Sequence, residues 1–109
     1  MRVWDIPPGR LCRAHLLGEH AELHAIWSII TKRKRGYSNH PETLRWRGKL
    51  KALYLRHQTL VKEFRKRGFR HNSVLDRKFA VGDAKQEVFI DTFDRQVRTL
   101  RAKKCGCKV

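Results

Sequence analysis

Between Leu50 and Phe64 the side chains Leu50, Leu53, His57, Leu60 and Phe64 recur at steps of three and four. That spacing puts residues on one face of an α-helix and makes a buried stripe. A half-buried strand would instead show period-two alternation, and no stretch of this chain carries it convincingly. The stripe also has helix punctuation at both ends. Before it, in Ser38-Asn39-His40-Pro41-Glu42, Pro41 suits a first helical position and Glu42 the positive end of the helix dipole. After it, Arg65-Lys66-Arg67-Gly68 puts cations on the last turn and then a glycine stop.

Two further helices follow from the same reasoning. The first is expected from Gly9 or Arg10, after the extended Pro7-Pro8 entry. Leu16, Leu23, Ile26, Trp27 and Ile30 give its apolar stripe, and it fades in Lys32-Arg33-Lys34-Arg35, with Gly36 suited to its end. The last is expected from Asp83, with Gln86 as a capping-box partner and Phe89, Phe93, Val97 and Leu100 as its stripe. Residues 69–82 read as loop with at most a short turn of helix. The expected class is all-α, a compact single domain of three main helices spanning residues 1–109.

Charge narrows the function. The chain carries 26 Lys+Arg against 10 Asp+Glu, a formal net charge of +16, with 40% hydrophobic residues to build a core. Such a charge opposes compaction, so it points to an anionic partner: nucleic acid or an anionic membrane. No apolar run reaches the ~20 residues of a spanning helix, and MRVWDIPPGR lacks the apolar core of a signal peptide. A soluble, cytoplasmic protein that binds no membrane is expected. The odd cysteine count (Cys12, Cys105, Cys107) fits free thiols in a reducing compartment.

The stretch HLLGEHAELHA, His15 to Ala25, gathers three histidines and two glutamates. His20 and His24 are four apart, as in the zinc motif H-E-x-x-H, but Ala21 stands where its glutamate belongs and Glu22 points away from both rings. With no third ligand evident, they read as partly exposed polar residues, and no metal or other cofactor is expected. Cys105 and Cys107 alone are a weak metal signal too. His15, Glu19 and Glu22, by contrast, share a stripe. A carboxylate there against apolar surface is able to handle a proton near neutral pH, or it merely offsets neighbouring cations. Composition and periodicity thus reach a basic, helical, nucleic-acid-binding domain.

His15-Leu16, Glu19 and Glu22-Leu23, followed by Lys49-Leu50, Leu53, Arg56, Leu60, Glu63 and Lys66-Arg67-Gly68-Phe69, form two blocks in order along the chain. They resemble the first two helices of the pyrimidine-dimer DNA glycosylase (phage endonuclease V) family. The resemblance implies a DNA repair glycosylase with associated AP-lyase activity, acting on pyrimidine dimers or abasic sites in double-stranded DNA. It implies the chain's own α-amine as nucleophile, which in register falls on Met1; a methionine before Arg2 is not trimmed, so the register holds. It further implies Glu22 for the proton transfers, His15 and Arg2 for positioning DNA, and no cofactor.

Arg33, Lys34, Arg35, Arg65, Lys66 and Arg67 are the expected phosphate contacts at helix ends, with Arg45, Arg47 and Lys49 as further candidates. Two arginines that flank the family's catalytic glutamate are Ala21 and Ala25 here. The family's aromatic-rich tail is replaced by a basic, cysteine-containing one, so any stacking on DNA falls to Trp4 or Trp46, unless they are core. The alternative reading is a non-enzymatic DNA- or RNA-binding module on the same scaffold. A monomer is expected in either case.

Overall fold

The computed structural model describes residues 2–71, 73–103 and 105–109. Four α-helices carry the fold: α1 (Arg13–Thr31), α2 (Pro41–Trp46), α3 (Leu50–Lys66) and α4 (Phe93–Ala102). Short 3-10 turns cover Pro8–Arg10 and Arg77–Phe79. Among the described residues there is no strand, only an isolated antiparallel bridge between Lys49 and Gly82. The all-α class stands.

α1 and α3 form the central pair. His20 meets Phe64, His24 meets His57, and Trp27 meets Tyr54. Advancing along α1 therefore means retreating along α3, so the two helices are antiparallel. Leu16, Leu23 and Ile26 from α1 and Leu53, Leu60 and Phe64 from α3 fill the space between them. Val3, Trp4 and Ile6 from the extended N-terminal segment, Trp46 from α2, and Val97 and Leu100 from α4 close the same core.

The helix ends show where local chemistry won and where it lost. Gly68 takes φ +75°, and the Phe69 N–H returns to the Phe64 carbonyl, a Schellman ending of α3 at the expected glycine. α1 ends earlier than Gly36. Arg33 takes the left-handed position at φ 50°, and the Lys34 N–H returns to the Ile29 carbonyl. The expected second helix is two helices, because Gly48 turns left-handed at φ +74° and breaks it between Trp46 and Leu50.

The helix expected from Asp83 starts instead at Phe93, capped by the Thr92 hydroxyl, which accepts from the Arg95 N–H. Residues 81–83 are engaged elsewhere. The carbonyls of Val81 and Asp83 accept from the Lys51 and Ala52 N–H groups, first-turn amides of α3 that have no partner within their own helix. A distant loop thus caps α3, and Asp83 cannot also open a helix. Of the expected stripe, Val97 and Leu100 are buried while Phe89 and Phe93 stay exposed.

Candidate active site

The N-terminal segment is extended, so its amides need acceptors from outside. Three side chains from three helices supply them in succession. The Val3 N–H donates to Glu42 Oε1 of α2 (3.3 Å), the Trp4 N–H to Glu19 Oε1 of α1 (3.1 Å), and the Asp5 N–H to Gln96 Oε1 of α4 (2.8 Å). Each acceptor is itself held. Arg56 donates to both Glu19 oxygens (2.7 and 3.0 Å) and to the Ile6 carbonyl (2.9 Å). Glu42 accepts from the Trp46 indole N–H, and Gln96 donates to Asp5. Burial raises the Glu19 carboxyl above its ordinary value, against the pull of the Arg56 guanidinium and the Trp4 N–H. Glu19 is therefore an anchor for the chain's leading residues.

Glu22 sits one turn farther along α1, at its midpoint, and is half-buried. Among the described residues no cation pairs with its carboxylate. The two glutamates differ: Glu19 is enclosed and paired with Arg56, and Glu22 is half-buried without an ion-pair partner among the described residues. Met1, the expected nucleophile, lies outside the described residues.

Arg2 is not loose at the surface. Its Nη2 donates to Asp91 Oδ2 at 2.7 Å, and its guanidinium lies 4.6 Å from the Trp4 ring centre. The two residues border a small cleft of ≈ 150 Å³ with His40, Glu42 and Gln96. Asp91 carried no sequence signal, since it sits in a segment expected to be helical. His15 is engaged by cysteines. Its Nδ1 is 3.0 Å from Cys12 Sγ and 3.3 Å from Cys107 Sγ, and its ring meets Trp4 edge-on.

The basic residues divide. Arg33, Lys34 and Arg35 are exposed beyond the end of α1, and Arg65 and Lys66 are exposed at the end of α3. Because the helices are antiparallel, these groups lie at opposite ends of the pair, separated by roughly a 17-residue helix or ~25 Å. Arg67 does not belong with them. It donates to the Pro8 and Leu11 carbonyls and pairs with Glu63, so it ties the N-terminal turn to α3. Arg45 is also withdrawn, buried in a two-pronged contact with Asp5 (2.6 and 2.9 Å). Arg47 donates to the Ser38 carbonyl and Lys49 to Gln86. Trp4 and Trp46 are core; among the exposed aromatics next to basic residues are Tyr37, 70% exposed, and Phe79.

Two clusters of ligand-type side chains converge in the fold. His20 and His24 of α1, His57 of α3 and His71 beyond α3 bring four ring nitrogens together, and Cys12, His15, Cys105 and Cys107 form a second group. The sequence offered no third ligand for His20 and His24, yet His57 stood in an otherwise apolar stripe. A histidine in that register was the available signal.

No curated protein and no solved structure matches the chain. A family model does. It is that of the pyrimidine dimer DNA glycosylases, and it spans residues 1–77 of the 109. The matched region contains the leading segment, α1 with Glu19 and Glu22, α2, and α3 with Arg56; Asp91, Gln96 and the two C-terminal cysteines lie beyond it. With more than half of the chain matched in one continuous span, the protein belongs to the pyrimidine dimer DNA glycosylase family.

Proposed function

We propose that this glycosylase removes one base of a pyrimidine dimer and then cuts the strand through an imine on the α-amine of Met1, with Glu22 as the proton-transfer group. The observation that carries the reading is the division of labour on α1. Glu19 clamps the Trp4 amide, three residues from Met1, while Glu22, one turn away, has no cation partner among the described residues.

The chemistry needs little else. An α-amine with an ordinary pKa of ~7.7–8.0 is partly neutral at pH 7. Its lone pair attacks C1′ of the damaged nucleotide, the glycosidic bond breaks, and the electron pair leaves with the base. Glu22 delivers and recovers protons as the sugar ring opens to a protonated imine. The imine acidifies C2′–H; loss of that proton expels the 3′-phosphate and cleaves the strand. The basic ends of α1 and α3 flank Glu22 along the helix pair and suit phosphates on either side of a duplex lesion. A dimer-containing duplex is weakly paired and costs less to open.

The test is nicking of ultraviolet-irradiated plasmid by three proteins: the unmodified chain, Glu22→Gln, and the chain with its α-amine blocked by reductive methylation. Both changes are expected to lower the nicking rate ~10²-fold or more while retaining binding to irradiated duplex. Unchanged nicking by either protein overturns the mechanism, and binding without nicking by the unmodified chain makes this a DNA-binding module.

A further inference from the structure

We propose that His20, His24, His57 and His71 form a tetrahedral site for one Zn²⁺ ion that staples α1 to α3 and to the segment following it. The argument is geometric first. His20 Nε2 lies 3.3 Å from His57 Nε2, 3.1 Å from His71 Nε2 and 3.2 Å from His24 Nε2, and the last is 3.0 Å from His57 Nε2. Four nitrogens bound to zinc at ~2.0–2.1 Å stand about 3.3 Å from one another at tetrahedral angles. These four separations already match that spacing, and all four ligand atoms lie within 4.8 Å of one another.

Hydrogen bonding does not account for the cluster. A neutral imidazole nitrogen carries either one hydrogen or one lone pair. His20 Nε2 has three close nitrogen neighbours and satisfies one of them, which leaves lone pairs or N–H groups facing each other in the rest. One cation at the centre resolves every contact. The surroundings agree. Gln58 Oε1 sits 3.3 Å from His57 Nδ1, as an acceptor that fixes the ring with its Nε2 lone pair inward. Phe64 packs against His20 and His71, at 4.9 and 5.9 Å between ring centres, and gives the site an apolar wall.

Four neutral nitrogens in a tetrahedron favour zinc over copper or nickel, which prefer square-planar or tetragonal sites. All four positions are filled by protein, so the site is structural rather than catalytic. His20 and His24 lie two residues to either side of Glu22 on the opposite face of α1. The ion therefore fixes the helix that presents that carboxylate.

A separate set of residues carries a second site on its own geometry. We infer that Cys12, His15, Cys105 and Cys107 bind a second zinc as three thiolates and one imidazole. The His15 Nδ1 is 3.0 Å from Cys12 Sγ and 3.3 Å from Cys107 Sγ, and all four ligand atoms lie within 4.8 Å of one another. The Cys12 N–H donates to Cys107 Sγ at 3.0 Å, an outer contact that supports a thiolate. This ion would hold the C-terminal residues against the start of α1.

Both sites are tested on the full chain produced with zinc and dialysed exhaustively against metal-free buffer. Elemental analysis is expected to give two zinc ions per chain. The Cys105→Ser/Cys107→Ser variant is expected to retain one, and zinc-edge X-ray absorption of that variant to show four nitrogen neighbours at ~2.0 Å and no sulfur. A metal-free variant, or sulfur in its shell, overturns the histidine site. Cobalt substitution reads the cysteine site: a thiolate-to-cobalt charge-transfer band in the unmodified chain, lost in the double-serine variant, supports it. Absence of that band, or a Cys12–Cys107 disulfide in the purified chain, overturns it.

Discussion

Arg56→Leu should be among the most damaging single substitutions in this protein. The Glu19 carboxylate it serves is fully enclosed, and Arg56 gives it two charge-assisted hydrogen bonds while a third goes to the Ile6 carbonyl. Removing the guanidinium leaves a carboxylate in the core with only the Trp4 N–H for company. Breaking a buried pair from one side costs ~3–5 kcal/mol. In a chain of this length each kcal/mol moves the midpoint by ~4 °C, so Tm should fall by roughly 12–20 °C. Replacing both partners removes the stranded charge, so Glu19→Leu/Arg56→Leu should be less destabilised than Arg56→Leu alone, with a residual of ~1–3 kcal/mol for the Trp4 amide. Urea unfolding followed by circular dichroism, with zinc at one fixed concentration throughout, measures all three proteins on one scale. A loss below ~1 kcal/mol for Arg56→Leu, or a double variant worse than the single one, would refute the buried-anchor account of the N-terminal segment.

Gly82→Ala should destabilise by more than ~1 kcal/mol in the same unfolding experiment, because Gly82 holds φ +86° and an added Cβ would sit 2.1 Å from the Gly48 carbonyl oxygen. Replacing Arg33, Lys34 and Arg35 together by Ala should weaken binding to damaged and undamaged duplex alike and flatten the salt dependence. Each lost phosphate contact removes ~0.9 from the slope of log K against log salt, read by fluorescence anisotropy. Arg67→Ala should do the reverse, costing stability through the Pro8 and Leu11 carbonyls while leaving the salt slope unchanged.

The parts of the fold legible in the sequence were those decided within a helical turn or two. The Leu53, Leu60 and Phe64 stripe and the Gly68 stop needed only local spacing and one left-handed glycine. Illegible were the choices made by residues far apart in the chain. Asp83 and Gln86 have the sequence of a capping box, but the Asp83 carbonyl caps α3 and the Gln86 side chain bonds the Arg45 carbonyl. The site divides in the same way. The exposure of Arg33, Lys34, Arg35, Arg65 and Lys66 could be read from their position at helix ends alone. Arg45 and Arg67 looked like their neighbours, and only the partners Asp5, Pro8 and Leu11 reveal them as internal struts. The histidine cluster required two residues, His57 and His71, that join α1 only through tertiary contact.

If an imine on the Met1 amine carries the reaction, borohydride will trap it. The protein is mixed with duplex DNA carrying one pyrimidine dimer, borohydride is added during turnover, and the product is resolved on a denaturing gel and mapped by mass spectrometry. The account predicts a reduced covalent adduct on the Met1 nitrogen, formed in low yield by Glu22→Gln. An adduct on a lysine, or strand cleavage with no adduct, would contradict it.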